Sequence, residues 1–507
     1  MSELAMTDIE RSNEEASNLI ATKNGDSTVD ATPDVPSDSP TQVEKASEER
    51  NFEGKIQSDT NDEEQALLNE ARTWSHGYKL FVSFSAIFAM FNITMATSVY
   101  IASIYGIMAE FNVSLTLAIS PITFYAIGFI VGPMATSALS EEFGRQYIFK
   151  ASLFLHLVFT IVGGSAQEFR TLAVARGICG IVGSPCLSVF AGLLNDLWKM
   201  PEDKISTVLF AVYGLMGVAA SEIGPISGEA IVSDRGWRWS FWLTAMLVGV
   251  SFLLLVSVPE TYGPEIRRKR LGKPRKGFLQ TLGPAFARPF HMFMVEPIIP
   301  PTAAIVTMGQ IVVFVFYASY PDMLSSQYGF TSYQQGLSFI PLLIGTLFAL
   351  PVLSATMKKR EKSGNPQPED TMPAALIAGI VLPVSLFWLA WTARSSIHWI
   401  CPLIAGGFYG FGFALSQLVY PLYKNEVYGA ELGASSFAID VAIRYTFSSV
   451  FPLFTIQMVE AMTFHWAISM CAFVLLVLAP VPLVLQKYGP ALRARSQYVK
   501  RKDAIGQ

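Results

Sequence analysis

Charged residues are scarce in this sequence: Asp, Glu, Lys and Arg together make up 15% of it, whereas a soluble domain carries about a quarter. The sequence also has only 4 cysteines and 5 histidines, and they are scattered. Neither set shows the spacing of a metal site or a redox pair. No Walker sequence, G-x-S-x-G turn or catalytic triad can be found. The sequence therefore predicts no enzyme activity, no metal and no cofactor.

Apolar residues are abundant and make up 51% of the sequence. They occur in long blocks of the roughly 20 residues that a helix needs to cross the hydrocarbon core. The long loop near 259–296 divides the blocks into two groups of six. The sequence thus predicts an all-α membrane protein of twelve spans, near residues 79–101, 117–138, 148–167, 171–197, 205–232, 239–258, 297–320, 335–356, 373–393, 397–420, 433–458 and 466–486.

Charge divides the chain into an acidic tail and a basic remainder. Residues 1–77 carry 18 acidic and 6 basic residues, a net charge of −12, whereas the rest carries 22 acidic and 30 basic residues, a net charge of +8. The tail cannot bury enough apolar area to offset chain entropy, so we expect it to be disordered. The predicted regions are a disordered cytoplasmic tail (1–77), a six-helix half (78–258), a basic cytoplasmic linker (259–296), a second six-helix half (297–486) and a basic cytoplasmic tail (487–507).

Lys and Arg mark one side of the membrane, which the positive-inside rule identifies as cytoplasmic. The loops that follow even-numbered spans, together with the linker and the C-terminal tail, hold most of the basic residues. The opposite side offers only Arg170, Arg235, Arg238 and Arg394. Both termini are therefore predicted to be cytoplasmic, as an even number of spans requires. The first apolar run begins near Lys79, so no cleaved signal peptide is expected.

The loop between the second and third spans carries a motif. It reads GPMATSALSEEFGRQ over residues 132–146 and resembles the signature of the major facilitator superfamily. The matching positions are Gly132, Glu141, Gly144 and Arg145. Departures at 142 and 146 put the family's charge relay in doubt here. The resemblance implies that Glu141 and Arg145 form a cytoplasmic latch that breaks in one state.

Other segments extend the resemblance through the membrane body. LAVARGICGIVGS (172–184) is similar to the fourth-span motif of the family, and IGPISG (223–228) to its fifth-span antiporter motif, with Gly224, Pro225 and Gly228. Three further segments are similar to the twelve-span fungal drug:proton antiporter branch of the family: RGWRWSFW (235–242), VPETYGPEIRRKR (258–270) and FPLFTIQM (451–458). Within that branch, the chain looks most like the polyamine and multidrug exporters.

The resemblance implies two six-helix bundles that rock about a central site near the bilayer midplane. It also implies proton-coupled export of drugs, polyamines or related small organic compounds, often cationic. Three alternatives stay open: a proton-coupled uptake permease, a transporter-derived membrane sensor and, less favoured by the layout, a channel. The expected partners are a small-molecule substrate, protons and the lipid bilayer, with no nucleic acid. We expect a monomer in the plasma membrane, with the vacuolar membrane as the alternative.

Ionisable residues inside spans are the first candidates for the site, because each costs about 2.5–3.5 kcal/mol at a helix centre on insertion scales. Arg176 in the fourth span is either a proton-coupling residue, as the family implies, or a structural cation bonded to carbonyls or a carboxylate. Glu222 and Glu229 in the fifth span are seven residues apart and share one helix face. Together they could attract a cation or exchange protons, although Glu229 could simply be hydrated near the outer end.

Asp440 and Arg444 in the eleventh span are four residues apart and are predicted to pair on one face. A structural ion pair and a role in switching between states both remain open for them. Asn92 is an unexpected polar residue in the first span. Tyr317 belongs to a set of aromatic residues that could line a cavity for apolar or cationic compounds, with core packing or lipid contact as the alternative.

Overall fold

The computed structural model describes residues 70–198, 203–272, 287, 289–364 and 366–500. Within these ranges the side chains at 137, 138, 141, 191, 204 and 429–435 fall outside the description. The described residues form helices joined by short connections. Eleven of these helices are long and apolar enough to cross a membrane.

The N-terminal half contains spans 1 to 6. Span 1 is His76–Ser98, which continues through the 3₁₀ turn Val99–Ser103 into Ile104–Phe111. The other spans are Leu115–Phe143 (span 2), Arg145–Gly164 (span 3), Phe169–Gly183 with Pro185–Ser188 and Phe190–Leu197 (span 4), Lys204–Arg235 (span 5) and Arg238–Val256 (span 6). A short helix, Gly263–Arg270, follows span 6.

The C-terminal half begins with span 7, Ile299–Tyr328. The short helix Ser332–Leu337 leads into span 8, Ile340–Glu361, and the 3₁₀ turn Pro368–Thr371 leads into span 9, Met372–Thr392. The remaining helices are Ile400–Ser448, Phe451–Leu478 and Val481–Arg495.

The chain reverses direction inside Ile400–Ser448. As one straight helix, its 49 residues would be about 74 Å long, more than twice the ~30 Å hydrocarbon core. Lys424 and Asp440 form an ion pair although they are 16 residues apart. Arg444 Nη1 also donates to Gln417 Oε1 at 2.8 Å across 27 residues. These contacts require two antiparallel segments, so residues 400–428 form span 10 and span 11 begins by residue 436.

A second reversal separates span 11 from span 12. Thr463 leaves the helical conformation, with φ 67° and ψ 156°. Just beyond it, His465 and Trp466 lie 6.2 Å and 5.8 Å from the ring of Trp391, at the end of span 9. Span 12 therefore starts at Phe464, next to the end of span 9. The described residues make twelve crossings, and the all-α membrane fold is as predicted.

The ends of the predicted regions need correction. Residues 70–77, predicted to be disordered, form the 3₁₀ turn Glu70–Thr73 and the start of span 1. Residues 1–69 lie outside the described part of the chain. At the other end, the helix Val481–Arg495 runs past residue 486, where the membrane body was predicted to stop. Amphipathic and basic segments thus continue the helices at both ends, which a hydropathy pattern alone does not reveal.

Small residues allow the helices of each half to touch through their backbones. A Cβ atom at Gly128 of span 2 would lie 2.3 Å from the backbone of Gly180 in span 4. In the other half, a Cβ atom at Gly345 of span 8 would lie 1.9 Å from the carbonyl oxygen of Gly407 in span 10. Any larger side chain at these positions would push the helices apart. The close contacts make each half a compact bundle.

The Lys424–Asp440 ion pair predicts a large loss of stability when one partner is removed. The side chains are only 2% and 7% exposed, so Asp440→Asn leaves a buried ammonium group without a counter-ion. We expect the free energy of unfolding to fall by ~3–5 kcal/mol, measured by thermal denaturation of the purified protein in detergent. The double variant Lys424→Met/Asp440→Leu is the control and should recover most of the loss. An Asp440→Asn variant as stable as the unaltered protein would contradict the pairing.

Candidate functional site

A cavity lies between the two halves. Its walls come from spans 1, 4, 5, 7, 10 and 11. On span 5 the lining residues run from Phe210 to Ser221, between the start of that helix at Lys204 and the middle of the membrane. The cavity therefore lies on the side that the charge pattern predicts to be cytoplasmic. Its polar wall includes Gln310, Gln417 and Arg444.

Glu222 follows Ser221 and lies in the middle of span 5, where it is only 5% exposed. Thr346 Oγ1 of span 8 donates to Glu222 Oε1 at 2.8 Å, which joins the two halves. Glu222 Oε2 has no hydrogen-bond partner among the described residues, and none of their Lys or Arg side chains forms an ion pair with it. An ionised carboxylate here has no cation to balance its charge, so the charged form is costly.

The two halves also meet beyond Glu222, towards the outer face. Tyr317 OH of span 7 donates to the carbonyl oxygen of Ser221 at 2.9 Å. Tyr105 OH, near the end of span 1, donates to Asp322 Oδ1 of span 7 at 2.5 Å. Thr123 Oγ1 of span 2 donates to the carbonyl oxygen of Ser449 in span 11 at 2.8 Å. These contacts hold the outer side closed in this structure.

Glu229 lies two helical turns outward from Glu222 and is half-buried. A Cβ atom at Gly336 would lie 2.7 Å from its own Cβ atom, so Glu229 packs against the turn before span 8. It lines a second, smaller cavity on the outer side, together with Tyr105, Tyr317 and Asp322. Glu229 is therefore part of the contact between the halves and not a simply hydrated end residue.

Arg176 is 5% exposed and lies inside the N-terminal half. Its guanidinium carbon lies 4.4 Å from the ring centre of Tyr125 and 4.9 Å from that of Tyr100. Nη1 donates to the carbonyl oxygen of Ala96 at 2.9 Å, whereas Nε and Nη2 have no partner among the described residues. Two aromatic faces and a carbonyl thus accommodate the charge. This geometry favours the structural alternative, in which Arg176 ties span 4 to spans 1 and 2.

The predicted pairing of Asp440 with Arg444 is wrong. Asp440 pairs with Lys424 of span 10, and Arg444 donates to Gln417 of the same span. Lys424 and Gln417 both lie on the neighbouring antiparallel helix. The rule that pairs side chains four residues apart considers one helix only, so it does not predict these contacts. The predicted tenth span ends at residue 420, which would leave Lys424 in a loop, yet Lys424 is buried. The signal that could have revealed the pair is the position of Asp440. It carries the opposite charge and lies in the next span, at a depth in the membrane similar to that of Lys424.

Asn92 and the antiporter motif serve packing within the N-terminal half. Asn92 Nδ2 donates to Ser251 Oγ of span 6 at 2.8 Å, so Asn92 joins spans 1 and 6. A Cβ atom at Gly224 would lie 1.9 Å from Ser98 Oγ, and one at Gly228 would lie 2.8 Å from the carbonyl oxygen of Val99. Pro225 lies between these glycines and removes one backbone donor from span 5. The motif thus fits span 5 closely against the bend in span 1.

The signature loop positions Arg145 among three elements. Gly144 has φ 97°, a conformation that favours glycine, and it starts span 3 at Arg145. The Arg145 Nε atom lies 2.5 Å from Asp196 Oδ2 at the end of span 4. The backbone N–H of Arg145 donates to Glu260 Oε1, after span 6, at 2.9 Å. The cluster of Arg145, Asp196 and Glu260, which we call the cytoplasmic clasp, links spans 3, 4 and 6.

The first glycine of the signature also has a packing role, because a Cβ atom at Gly132 would lie 1.9 Å from Ser184 Oγ. The side chain of Glu141 lies outside the described part of the chain, and its pairing with Arg145 stays a prediction. The sequence patterns did not identify Asp196, Glu260 and Thr346. All three bind partners that are distant in sequence, and of the three only Glu260 lies in a segment, 258–270, that a family resemblance marks. Among the described residues, no group of three metal-binding side chains comes together.

Comparison with known proteins agrees with this architecture. A profile of the Major Facilitator Superfamily matches residues 82–443. Polyamine transporter 4 of Saccharomyces cerevisiae is 31% identical over 471 residues, which cover 84% of this chain and 71% of that protein. The major facilitator superfamily multidrug transporter mdrA of Aspergillus fumigatus is 31% identical over 85% of this chain and 74% of its own length.

An efflux pump of Gibberella moniliformis, FUB11, is 30% identical over 80% of this chain and 72% of its own length. Among solved structures, the proton:xylose symporter XylE bound to a bromodeoxyglucose superposes with a TM-score of 0.62 at 15% identity, over 82% of this chain and 96% of that one. That likeness concerns the fold. The chain belongs to the Major Facilitator Superfamily and is a multi-pass membrane transporter of small molecules.

Proposed function

We propose that this transporter exports small organic compounds, of the drug and polyamine kinds that the names of its relatives indicate, in exchange for protons. The observation that carries the proposal is Glu222. It is a buried carboxyl group with no cationic partner among the described residues, it adjoins the cavity at Ser221, and it bonds across the halves to Thr346. One chain holds both halves and the cavity, so a monomer suffices.

The exchange of substrate for protons follows from the free-energy cost of an ionised Glu222 carboxylate at the contact between the two halves. A neutral carboxyl group can share its hydrogen bond with Thr346 and remain buried, so the outer side stays closed. Loss of the proton places an uncompensated charge between the halves, and water must then reach it. Deprotonation therefore favours outward opening, and uptake of an external proton favours closure. The titratable side chains that interact electrostatically with Glu222 are Tyr317 of span 7 and Tyr409 of span 10.

An uptake permease would use the same cavity, with the proton moving in the same direction as the substrate. A sensor would bind a compound without net flux. Relatives that are efflux pumps and the antiporter-like packing of Gly224 and Gly228 in span 5 both favour export. The direction of the pH gradient that drives flux decides between export and uptake.

Glu222→Gln is predicted to uncouple transport from protons. Glutamine keeps the size and the hydrogen bond to Thr346 but cannot release a proton. In proteoliposomes with an imposed pH gradient, using spermine, an azole and cycloheximide as substrates, we expect the gradient-driven flux to fall by about tenfold or more. Exchange of substrate without a gradient should persist, because the cavity is unchanged.

Glu110→Gln is the control, since it removes a carboxyl group that is 39% exposed, at the outer end of the helix that continues span 1. It should retain the response to the gradient. A Glu222→Gln protein that responds to the gradient like the unaltered one would contradict the role of Glu222. Absence of flux for all three compounds, at any gradient, would contradict the exporter proposal itself.

The cytoplasmic clasp is predicted to affect the rate of switching and not the affinity for substrate. Asp196→Asn removes the carboxylate that pairs with Arg145, where both side chains are 12% exposed. We expect the maximal transport rate to fall about tenfold, the equivalent of ~1.4 kcal/mol and near the low end for a hydrogen bond to a charged group. KM should stay within about twofold, because the clasp lies apart from the cavity.

Glu110→Gln is the control for Asp196→Asn. It breaks the more exposed pair between Glu110 and Arg238 at the outer end, which should cost little. If Asp196→Asn raises KM and leaves the maximal rate unchanged, the switching role of the clasp is wrong.

A further inference from the structure

We infer that Arg444 is the anion-binding group of the central cavity, and that the preferred substrates carry one carboxylate or similar anion on an aromatic or apolar body. The inference rests on the proposed function, because it takes this cavity to be the place where the exported compound binds. The charge of the cavity narrows the drug and polyamine classes to compounds that carry an anion.

The cavity has an unbalanced positive charge. Among the described residues that line it, Arg444 is the one with a formal charge. The nearby cation Lys424 is neutralised by Asp440, and neither of the two lines the cavity. Since Asp440 is occupied in this way, Arg444 has no carboxylate partner among the described residues. A bound anion would supply the missing negative charge.

The hydrogen bonds around Arg444 leave donors without acceptors. Nη1 donates to Gln417 Oε1 at 2.8 Å, while the buried Nε has no hydrogen-bond partner among the described residues. Because the guanidinium group can only donate, Gln417 must present its oxygen to it. The Nε2 amide of Gln417 is thereby turned away, and it too has no partner. A carboxylate accepts a stronger hydrogen bond from a guanidinium group than a neutral acceptor does, so it suits an arginine whose Nε has no acceptor.

The rest of the wall suits an apolar body. It includes the aromatic side chains of Phe210, Tyr213, Phe413 and Tyr445. A polyamine carries several positive charges and would meet Arg444 with no carboxylate to bind among the described lining residues. The arrangement therefore favours an aromatic monoanion over a polycation.

Three matched naphthalene probes test the charge preference: 2-naphthoate, 2-naphthamide and (2-naphthyl)methylamine, which are anionic, neutral and cationic at neutral pH. Their equilibrium binding to the full-length protein in lipid nanodiscs is compared. We expect the carboxylate to bind about tenfold or more tightly than the amide, and the amine to bind most weakly. Arg444→Gln should abolish the advantage of the carboxylate, and Arg444→Lys should restore part of it.

Arg394→Gln, at the outer end of the molecule and away from the cavity, is the control and should leave all three affinities unchanged. Binding of the amine as tight as that of the carboxylate, an equal loss of all three probes in Arg444→Gln, or binding of none would overturn the inference. Flux driven by a pH gradient separates it from the proposed function. If the amine is exported and the carboxylate is not, the anion site is wrong, while proton-coupled export stands.

Discussion

Burial of charge in the bilayer constrains the arrangement of the whole molecule, because an ionised side chain away from water needs a counter-charge or some other polar partner. Lys424 and Asp440 supply each other's counter-charge across spans 10 and 11. Arg176 is accommodated by a carbonyl and two aromatic faces. Glu222 and Arg444 have no ion-pair partner among the described residues, and they lie at or beside the cavity between the halves. The Lys424–Asp440 pair and the contacts of Arg176 hold spans together, whereas Glu222 and Arg444 are placed to act in transport.

The position of these two groups gives each a separate task. Glu222 bridges the halves through Thr346, so a change in its charge acts on the contact that closes the outer side. Arg444 belongs to one half and faces the cavity, so a change in its charge acts on what the cavity can hold. A proton and an anionic compound would then use different residues of the same interface. Their coupling would come from the movement of the halves, which both influence, and would need no direct contact between the two sites.

Much of the fold could be predicted from the sequence, since twelve apolar blocks, the side of the basic loops and the glycine-rich motifs are all local patterns. The candidate site was predicted only in part. Glu222 is conspicuous as a carboxylate inside an apolar helix, but its partner Thr346 is an ordinary residue more than a hundred positions away. The pairing of Asp440 was predicted within one helix, whereas the fold supplies Lys424 from the next. Contacts between helices depend on how the bundle turns, and a periodic pattern along one helix does not contain that information.

The central claim is that protonation of Glu222 closes the outer side. The most direct measurement is the distance between spin labels at the outer ends of spans 1 and 7, attached at Asn112 and Ser325, both of which are exposed. The account predicts that lowering the pH shifts the unaltered protein towards the short distance, and that the distances in Glu222→Gln do not change with pH. A Glu222→Gln protein whose distances still change with pH as in the unaltered protein would contradict it.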